Sequence, residues 1–557
     1  MNGLVMLLIS AVVLLAAYLV YGRYLARKWG VDPKRPTPAH EMEDGVDYVP
    51  TRPSIVFGHE FASIAGAGPI NGPIQAAMFG WLPVLLWILI GGIFFGAVQD
   101  FSALYASVKN KGKTIGYIIE TYIGKTGKRL FLLFVWLFSI LVVAAFADIV
   151  AGTFAGFNAA GGKVEANAAV ATTSLLFIAA AIGLGFFMRK FKPTGIVSGI
   201  VAVVLLTICI TLGILLPVYV AKSIWLYVVF AYIFFASITP VWGLLQPRDY
   251  LNSFLLVAMI GAAFIGVVFT APVINIPAFT AFKVGNNYLF PILFVTVACG
   301  AVSGFHSLVA SGTASKQIDN EKHMLPISFG AMLVESLLAV LALITVGALT
   351  VGGKLPEGIV TPPQIFAFAV AGFLTKLGLP ANIIFTLITL SVSAFALTSL
   401  DSVARVGRLA FQELFTEDLE PGQTGHPFAN FLANKYVATI ATLFVGYLLA
   451  VLGYQTIWPL FGSANQLLAA LSLIACSVFL KKTNRQGAML WGPMFIMLAV
   501  TFTALVFTII QKYGKIGAGS FTFGADGLQL VFAILLLGLG IMVAVSGVKK
   551  LTEKAAA

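Results

Sequence analysis

Charge is what this chain has least of. Asp, Glu, Lys and Arg together make up 10% of its 557 residues, against about 25% in an ordinary soluble protein. With 59% of residues apolar, it has too little polar side chain to clothe a water-facing surface. That excludes a soluble enzyme, a disordered chain and a nucleic-acid-binding module. Cysteine is nearly absent. Cys209, Cys299 and Cys476 each lie in an apolar stretch, with neither metal spacing nor a disulfide framework, and read as small buried side chains. No HExxH, GxSxG, Walker A or paired-cysteine motif occurs, so no enzymatic activity and no cofactor are expected. Without a nucleotide site, an ion gradient is the simplest energy source.

Apolar runs are what the chain has in abundance. A bilayer-crossing helix needs about 20 apolar residues. Such runs occur at 4–24, 57–80, 82–108, 128–155, 167–188, 194–217, 222–245, 250–272, 288–312, 325–351, 381–402, 434–453, 457–480, 488–511 and 527–547, with an amphipathic or re-entrant piece near 362–378. The expected fold is an all-α polytopic membrane protein with about fifteen transmembrane helices. The first run lacks a basic residue before it and has Arg23, Arg27 and Lys28 after it, so it reads as a retained helix, not a cleaved signal. If the N-terminus starts outside and the spans alternate, 27 of the 34 Lys and Arg residues fall on inner segments and 7 on outer ones. The positive-inside rule therefore predicts an outside N-terminus and a cytoplasmic C-terminus, and explains the net charge of +12 without nucleic acid.

Some apolar runs break their own rules. FGHEFASIAGAGPINGP, 57–73, carries His59, Glu60 and Ser63 with four glycines and two prolines. Gly66, Gly68, Pro69, Gly72 and Pro73 cannot all continue one helix. A discontinuous helix frees backbone groups that must face protein or a water-filled cavity, and it aims a half-helix N-terminus at any anion there. A cytoplasmic loop leading into a short helix is the alternative. A second interruption is expected at 237–247, where Pro240, Gly243 and Pro247 punctuate the span 222–245. Five spans separate the two, so the broken helices would run in opposite directions. That is the pattern of inverted five-helix repeats of the leucine-transporter type. The predicted organisation is an N-terminal helix and basic loop (1–56), a ten-helix core (57–402, repeats 57–217 and 222–402) and a loop with four C-terminal helices (403–557). No stretch is long enough for a soluble output domain.

Polar residues inside the runs mark candidate sites. Asp100 lies near an inner end and reads as pairing with a cytoplasmic base or as a gate. Asp401 and Arg405 are an i,i+4 pair, structural or gating. Asp148 reads as a cap or a vestibule residue, Glu335 as a further intramembrane acid, and Asn465 and Gln466 as interhelical hydrogen-bonding glue. His59 and His306, with Glu60, suggest a proton relay; structural hydrogen bonding and a metal site are alternatives, though two histidines supply too few ligands for a metal on their own.

Several stretches also resemble the carbon-starvation protein A family: FGHEFASIAGAGPINGP (57–73), GAVQDF (96–101), CGAVSGFHSLVASGTASKQ (299–317), TSLDSVARVGR (398–408) and LFGSANQLLAA (460–470). The resemblance runs over nearly the whole chain. It implies a bacterial inner-membrane transporter of pyruvate or peptides, similar to the amino acid–polyamine–organocation transporters, and proton coupling if pyruvate is the cargo. The combined expectation is a secondary active importer of a small carboxylate, pyruvate first and short peptides second. Ser63, Gly66, Ala67, Gly68, Asn71 and Ser307 would bind substrate, and Trp242 would close the pocket. His59, Glu60 and His306 would carry the proton. Sodium is an alternative coupling ion, through Ser307 and Ser311. A channel and a membrane sensor are the readings from other classes; the bilayer, the substrate and the ion are the expected partners.

Overall fold

The computed structural model describes residues 1–45, 47–158, 161–191, 193, 195–239, 245–350, 361–415 and 426–553, with backbone alone at 195–196 and 245–247. Pro240, Trp242, Gly243 and Lys354 lie outside the described residues.

The chain is helical nearly throughout. In order the helices are Gly3–Trp29 (α1), Pro53–Ile64 (α2), Gly68–Ala76 (α3), Trp81–Lys109 (α4), Lys125–Phe154 (α5), Glu165–Phe191 (α6), Gly195–Leu215 (α7), Lys222–Ile238 (α8) and Leu245–Thr270 (α9). There follow Leu289–Thr296 (α10), Phe305–Gly312 (α11), Glu321–Leu349 (α12), Pro362–Thr375 (α13), Ala381–Phe415 (α14), Lys435–Ala450 (α15), Tyr454–Lys482 (α16), Ala488–Gly517 (α17) and Leu528–Thr552 (α18). Among the described residues, eleven helical segments are long and apolar enough to cross a membrane. Helices α8, α13 and α15 are apolar but shorter. Local sequence sets several boundaries. Thr361 and Gln364 form a capping box before α13, Asn434 caps α15, and prolines occupy the first turns of α2 and α13.

Two expected spans are not continuous helices. The run 57–80 divides into α2 and α3 at residues 65–67, as its glycines and prolines require. The run 288–312 was expected to be one crossing, but it divides into α10 and α11 with non-helical backbone between them. Helix α8 spans Lys222–Ile238, and the interruption expected at 237–247 falls mostly outside the described residues; the second interruption within them is the one between α10 and α11.

By contacts the chain forms two compact units. One comprises Met1–Met6, Val142–Ile276 and Leu341–Tyr454, the other Leu7–Leu141, Pro277–Val340 and Gln455–Ala557. In the first unit α6 packs along α7, and α14 is the central helix, touching α6, α8, α9, α13 and α15. Phe177, Leu184, Leu206, Leu251, Leu255 and Leu390 fill the space between. Asp148 accepts from the Tyr454 amide at 2.9 Å and pairs with Lys222 at 2.7 Å, so it caps the start of α16.

The first unit also holds a buried polar knot. The Arg248 guanidinium pairs with Asp401 and donates to Tyr232, whose hydroxyl donates to the same carboxylate oxygen at 2.8 Å. Asp401 and Arg405 do not pair, correcting the i,i+4 reading. Arg405 instead donates to the Ala236 and Thr239 carbonyls at 2.9 and 2.7 Å, and Arg408 to the Ser237 carbonyl at 2.9 Å. These carbonyls are the orphan acceptors at the end of α8, and guanidinium groups also suit that end of the helix dipole. Asp401→Ala leaves the buried Arg248 with only the more distant Asp249 carboxylate at 3.7 Å, at a cost of up to about 3–5 kcal/mol. Arg405→Ala removes two charge-assisted hydrogen bonds, about 1.5–3 kcal/mol each, but it removes the desolvated charge with them and strands no countercharge. Thermal denaturation in detergent is expected to rank Asp401→Ala as the more damaging; the reverse order would restore the nearest-neighbour pairing.

Candidate functional site

The second unit contains both interrupted helices. Pro53 opens α2, and the helix stops at Ile64 because Gly66 and Gly68 weaken it and Pro69 has no N–H to extend it. Among the described residues, no backbone carbonyl accepts from the Ala67 or Gly68 N–H. Gly68 permits close contact: a Cβ there would lie 2.4 Å from the Cys299 Sγ. At Gly72 it would lie 2.7 Å from the Thr296 carbonyl. The gap between α10 and α11 is thus pressed directly against α3.

That gap is itself supported from α16. The Asn465 Oδ1 accepts from the Phe305 amide at 3.2 Å, the Asn465 carbonyl accepts from Gly304 N at 3.0 Å, and its amide nitrogen donates to the Ser303 hydroxyl at 3.1 Å. Gln466 donates to the Phe294 carbonyl at 2.6 Å. The two amides read as helix glue therefore satisfy backbone groups released by the interruption, which hydrocarbon would not tolerate unpaired. Helix α4 passes on another side with a π-helical turn at Gly92–Gly96. Such turns recur at functional sites. A Cβ at Gly96 would sit 2.4 Å from the Ala301 carbonyl and one at Gly92 2.2 Å from the Ser336 hydroxyl.

Four ionisable side chains meet where these segments converge. His306, in the first turn of α11, shares a 2.8 Å hydrogen bond through Nδ1 with Asp100 Oδ2 on α4. Its Nε2 lies 3.3 Å from Glu335 Oε2 on α12, without hydrogen-bond alignment. Glu60, in the last turns of α2, is close enough for its charge to interact with both Asp100 and His306. The Gln99 amide, oriented by its partners, donates to Asp100 Oδ1 and to the Ser303 carbonyl at 2.9 Å each. His306 and Glu335 are 0% exposed, Asp100 and Glu60 1%. Among the described residues no Lys or Arg pairs with any of the four, and none of their ion pairs involves His59. Asp100 is therefore bound to His306, not to the cytoplasmic base expected of it.

Within the same unit, α3 and the end of α2 carry buried polar groups with no hydrogen-bond partner among the described residues. Both amide atoms of Asn71, itself 0% exposed, are unpartnered, as are Gln75 Nε2 and Glu60 Oε2. Asn71 is in the first turn of α3, where the half-helix N-terminus and the uncommitted N–H groups lie. Buried polar atoms are nearly always satisfied in a native protein; a set left open around a helix break is suited to an anionic, hydrogen-bonding ligand.

The other predicted positions separate clearly. Gly66 N donates to Ile64 O at 2.8 Å, and the Ser63 hydroxyl to the His59 carbonyl at 2.8 Å, within its own helix. The Ser307 hydroxyl is engaged with Gly304 O and Ser472 Oγ, both at 2.7 Å, and Ser311 with Ser307 O at 2.6 Å. His59 is half-buried. Glu335 and Asn465 were visible in the sequence only as polar residues in apolar runs; their roles come from partners distant in sequence.

A family profile described as "Carbon starvation protein CstA" covers residues 2–355 and 357–504. The chain is 33% identical to the protein named "Peptide transporter CstA" of Bacillus subtilis, over 99% of this chain and 97% of that one. It is 32% identical to the protein of that name in Escherichia coli, over 87% and 78%. It is 31% identical to the Escherichia coli "Pyruvate/proton symporter BtsT", over 86% and 77%. Among solved structures, a manganese transporter of Eremococcus coleocola superposes with a TM-score of 0.48 at 12% identity, over 91% of this chain and 99% of that one.

Proposed function

The chain belongs to the carbon starvation protein CstA family of membrane transporters, and on that premise we propose that it is a proton-coupled secondary importer of a small carboxylate at the bacterial inner membrane. Pyruvate and short peptides are both cargoes of its named relatives, and both present a carboxylate. The observation that carries the proposal is the enclosed acid–imidazole cluster of Glu60, Asp100, His306 and Glu335, together with the buried, unpartnered Asn71 in the first turn of α3. An imidazole changes charge in the physiological range and is a natural proton carrier. A half-helix N-terminus with open N–H groups is a natural carboxylate site.

In this reading Ala67, Gly68 and Asn71 hold the substrate carboxylate while His306 and Glu60 exchange the proton; the Gly66 N–H is already given to the Ile64 carbonyl. His59 is one residue from Glu60, about 100° around α2, and contributes less. The two interrupted helices are the paired broken elements of an inverted repeat. Adding the two interrupted segments, α8 and α15 to the eleven long helices gives the fifteen crossings expected from hydropathy, with the N-terminus outside.

Uptake of radiolabelled pyruvate into proteoliposomes, with and without an inward proton gradient and with short peptides as competitors, tests the proposal. Accumulation only with the gradient supports a proton-coupled monocarboxylate importer. Absent pyruvate uptake, with gradient-driven peptide uptake, moves the cargo to peptides. Failure of both under a proton gradient overturns the proposal.

A further inference from the structure

The substrate proposal uses Glu60 and His306; it leaves unexplained why a second and a third carboxylate face the same imidazole. Asp100 and Glu335 approach opposite nitrogens of one ring. Asp100 Oδ2 is 2.8 Å from Nδ1, and Glu335 Oε2 is 3.3 Å from Nε2. Neither oxygen of Glu335 has a hydrogen-bond partner, although the side chain is wholly buried. Purely structural carboxylates in such surroundings would be expected to carry hydrogen bonds.

The two carboxylates also differ in depth. Lys109 at the end of α4 pairs with Glu321 at the start of α12, which fixes those two helix ends side by side. The Asp32 amide donates to the other Glu321 oxygen at 2.9 Å, bracing the same end. Asp100 is nine residues from Lys109, or about 14 Å along the helix, while Glu335 is fourteen residues from Glu321, or about 21 Å. Glu335 therefore lies about 7 Å farther from that end than Asp100, and His306 bridges the difference.

Charge balance bears on what such a bridge can do. The groups facing His306 are Asp100 on α4, Glu60 on α2 and Glu335 on α12; Cys299, from the gap before α11, faces Glu335. Three carboxylates against one imidazole cannot all be ionised in a site without Lys or Arg, so the set retains protons that can be handed from one member to the next.

We propose, building on the proton-coupled reading above, that Glu335, His306 and Asp100 form a two-sided proton relay, with Glu335 as the proton-binding group on the deeper side. In one step, the O–H bond of protonated Glu335 breaks and an N–H bond forms at Nε2. The N–H bond at Nδ1 breaks as an O–H bond forms on Asp100. One proton has moved across the ring, the imidazole ends with the same charge, and the negative charge has moved from Asp100 to Glu335. The relay resets when Asp100 releases its proton, Glu335 takes up another, and the ring turns to carry its N–H back to the Asp100 side. The 3.3 Å gap at Nε2, out of alignment, is the open contact of the relay, and the 2.8 Å bond at Nδ1 the closed one.

The test uses the full-length protein in proteoliposomes, comparing wild type, Glu335→Gln, Glu335→Asp and Asp100→Asn. Two transport modes are read: uptake driven by a proton gradient, and counterflow, which exchanges labelled for unlabelled pyruvate or peptide without net proton movement. Glu335→Gln is expected to lose gradient-driven uptake at least tenfold and to lose counterflow by a clearly smaller factor. Asp100→Asn should show the same split, and Glu335→Asp, which keeps the acid, should recover part of the driven uptake. Equal losses in both modes, or driven uptake at the wild-type level in Glu335→Gln, would overturn the relay. A second readout is independent of cargo. Infrared difference spectra of the purified protein across a pH step should show a carboxylic-acid carbonyl band that Glu335→Gln removes, and a band unchanged by the substitution also overturns it. If the wild type transports neither pyruvate nor peptides, the functional proposal fails and the infrared result still decides the relay.

Discussion

Replacing His306 with alanine is expected to lower gradient-driven uptake by about a hundredfold or more, the effect typical of removing a positioned acid–base group. The substitution removes the only imidazole between Asp100 and Glu335 and leaves Asp100 buried with only the Gln99 amide. It therefore also destabilises the protein, by up to about 3–5 kcal/mol. His306→Gln separates the two effects: its amide can still donate to Asp100, so folding is preserved better, but it carries no exchangeable charge. Both variants should lose driven uptake, and the glutamine variant should keep a higher melting temperature in detergent. Wild-type uptake by the glutamine variant would remove His306 from the coupling path. His59→Ala, on another face of α2, is expected to retain far more activity than either.

Gly462→Ala is expected to prevent recovery of folded protein. A Cβ at Gly462 on α16 would lie 1.9 Å from the Val295 carbonyl oxygen at the end of α10. That oxygen belongs to the backbone and cannot swing aside as a side chain would. Overpacking of a well-packed core costs about 1–3 kcal/mol even when the neighbours are flexible, and here the helices must separate by more than an ångström. Gly304→Ala is similar, with Leu468 Cβ and Ala469 N both at 2.4 Å. Gly492 on α17 and Gly538 on α18 have nothing within 4 Å of such a Cβ. Alanine there should be neutral or stabilise its helix by about 0.5–1 kcal/mol. Size-exclusion profiles and melting temperatures of the four variants test this; a well-folded Gly462→Ala would contradict the packing.

The sequence made some of this legible and hid the rest for physical reasons. Hydropathy is a local property, and the long helices begin within about five residues of the expected runs, though α14 continues to Phe415, well past the expected end at 402. The interruption at 65–67 was visible because two prolines and four glycines in 57–73 cannot be helical together. The interruption between α10 and α11 was hidden. Its residues, VACGAVSG, are small and largely apolar and contain no proline, so they pass as part of a membrane run; only Asn465 and the glycines around it make the break tolerable. Partnerships were the least legible. Asp401 has an arginine four residues away, yet its counterion is Arg248, 153 residues earlier in the chain. Asp100 and His306 are 206 residues apart. Helical spacing reports neighbours on one helix and says nothing about which helices meet. The Asn71, His306 and Glu60 positions stood out as polarity in the wrong solvent; Glu335 did so too, but without a partner it had no role.

The dependence of the α10–α11 interruption on α16 has a consequence for how the protein is made. The groups freed before Phe305 have their acceptors on Asn465, 160 residues later, and the close approach at Gly304 involves Leu468 and Ala469. Ribosomes add roughly 5–20 residues per second, so this segment waits about 8–30 s after synthesis for its partner to emerge. During that interval the amides of Gly304 and Phe305 and the Phe294 carbonyl must be shielded from lipid by something other than their final neighbours. The nascent chain is thus a prolonged client of the insertion machinery, and its assembly is completed from the C-terminal side.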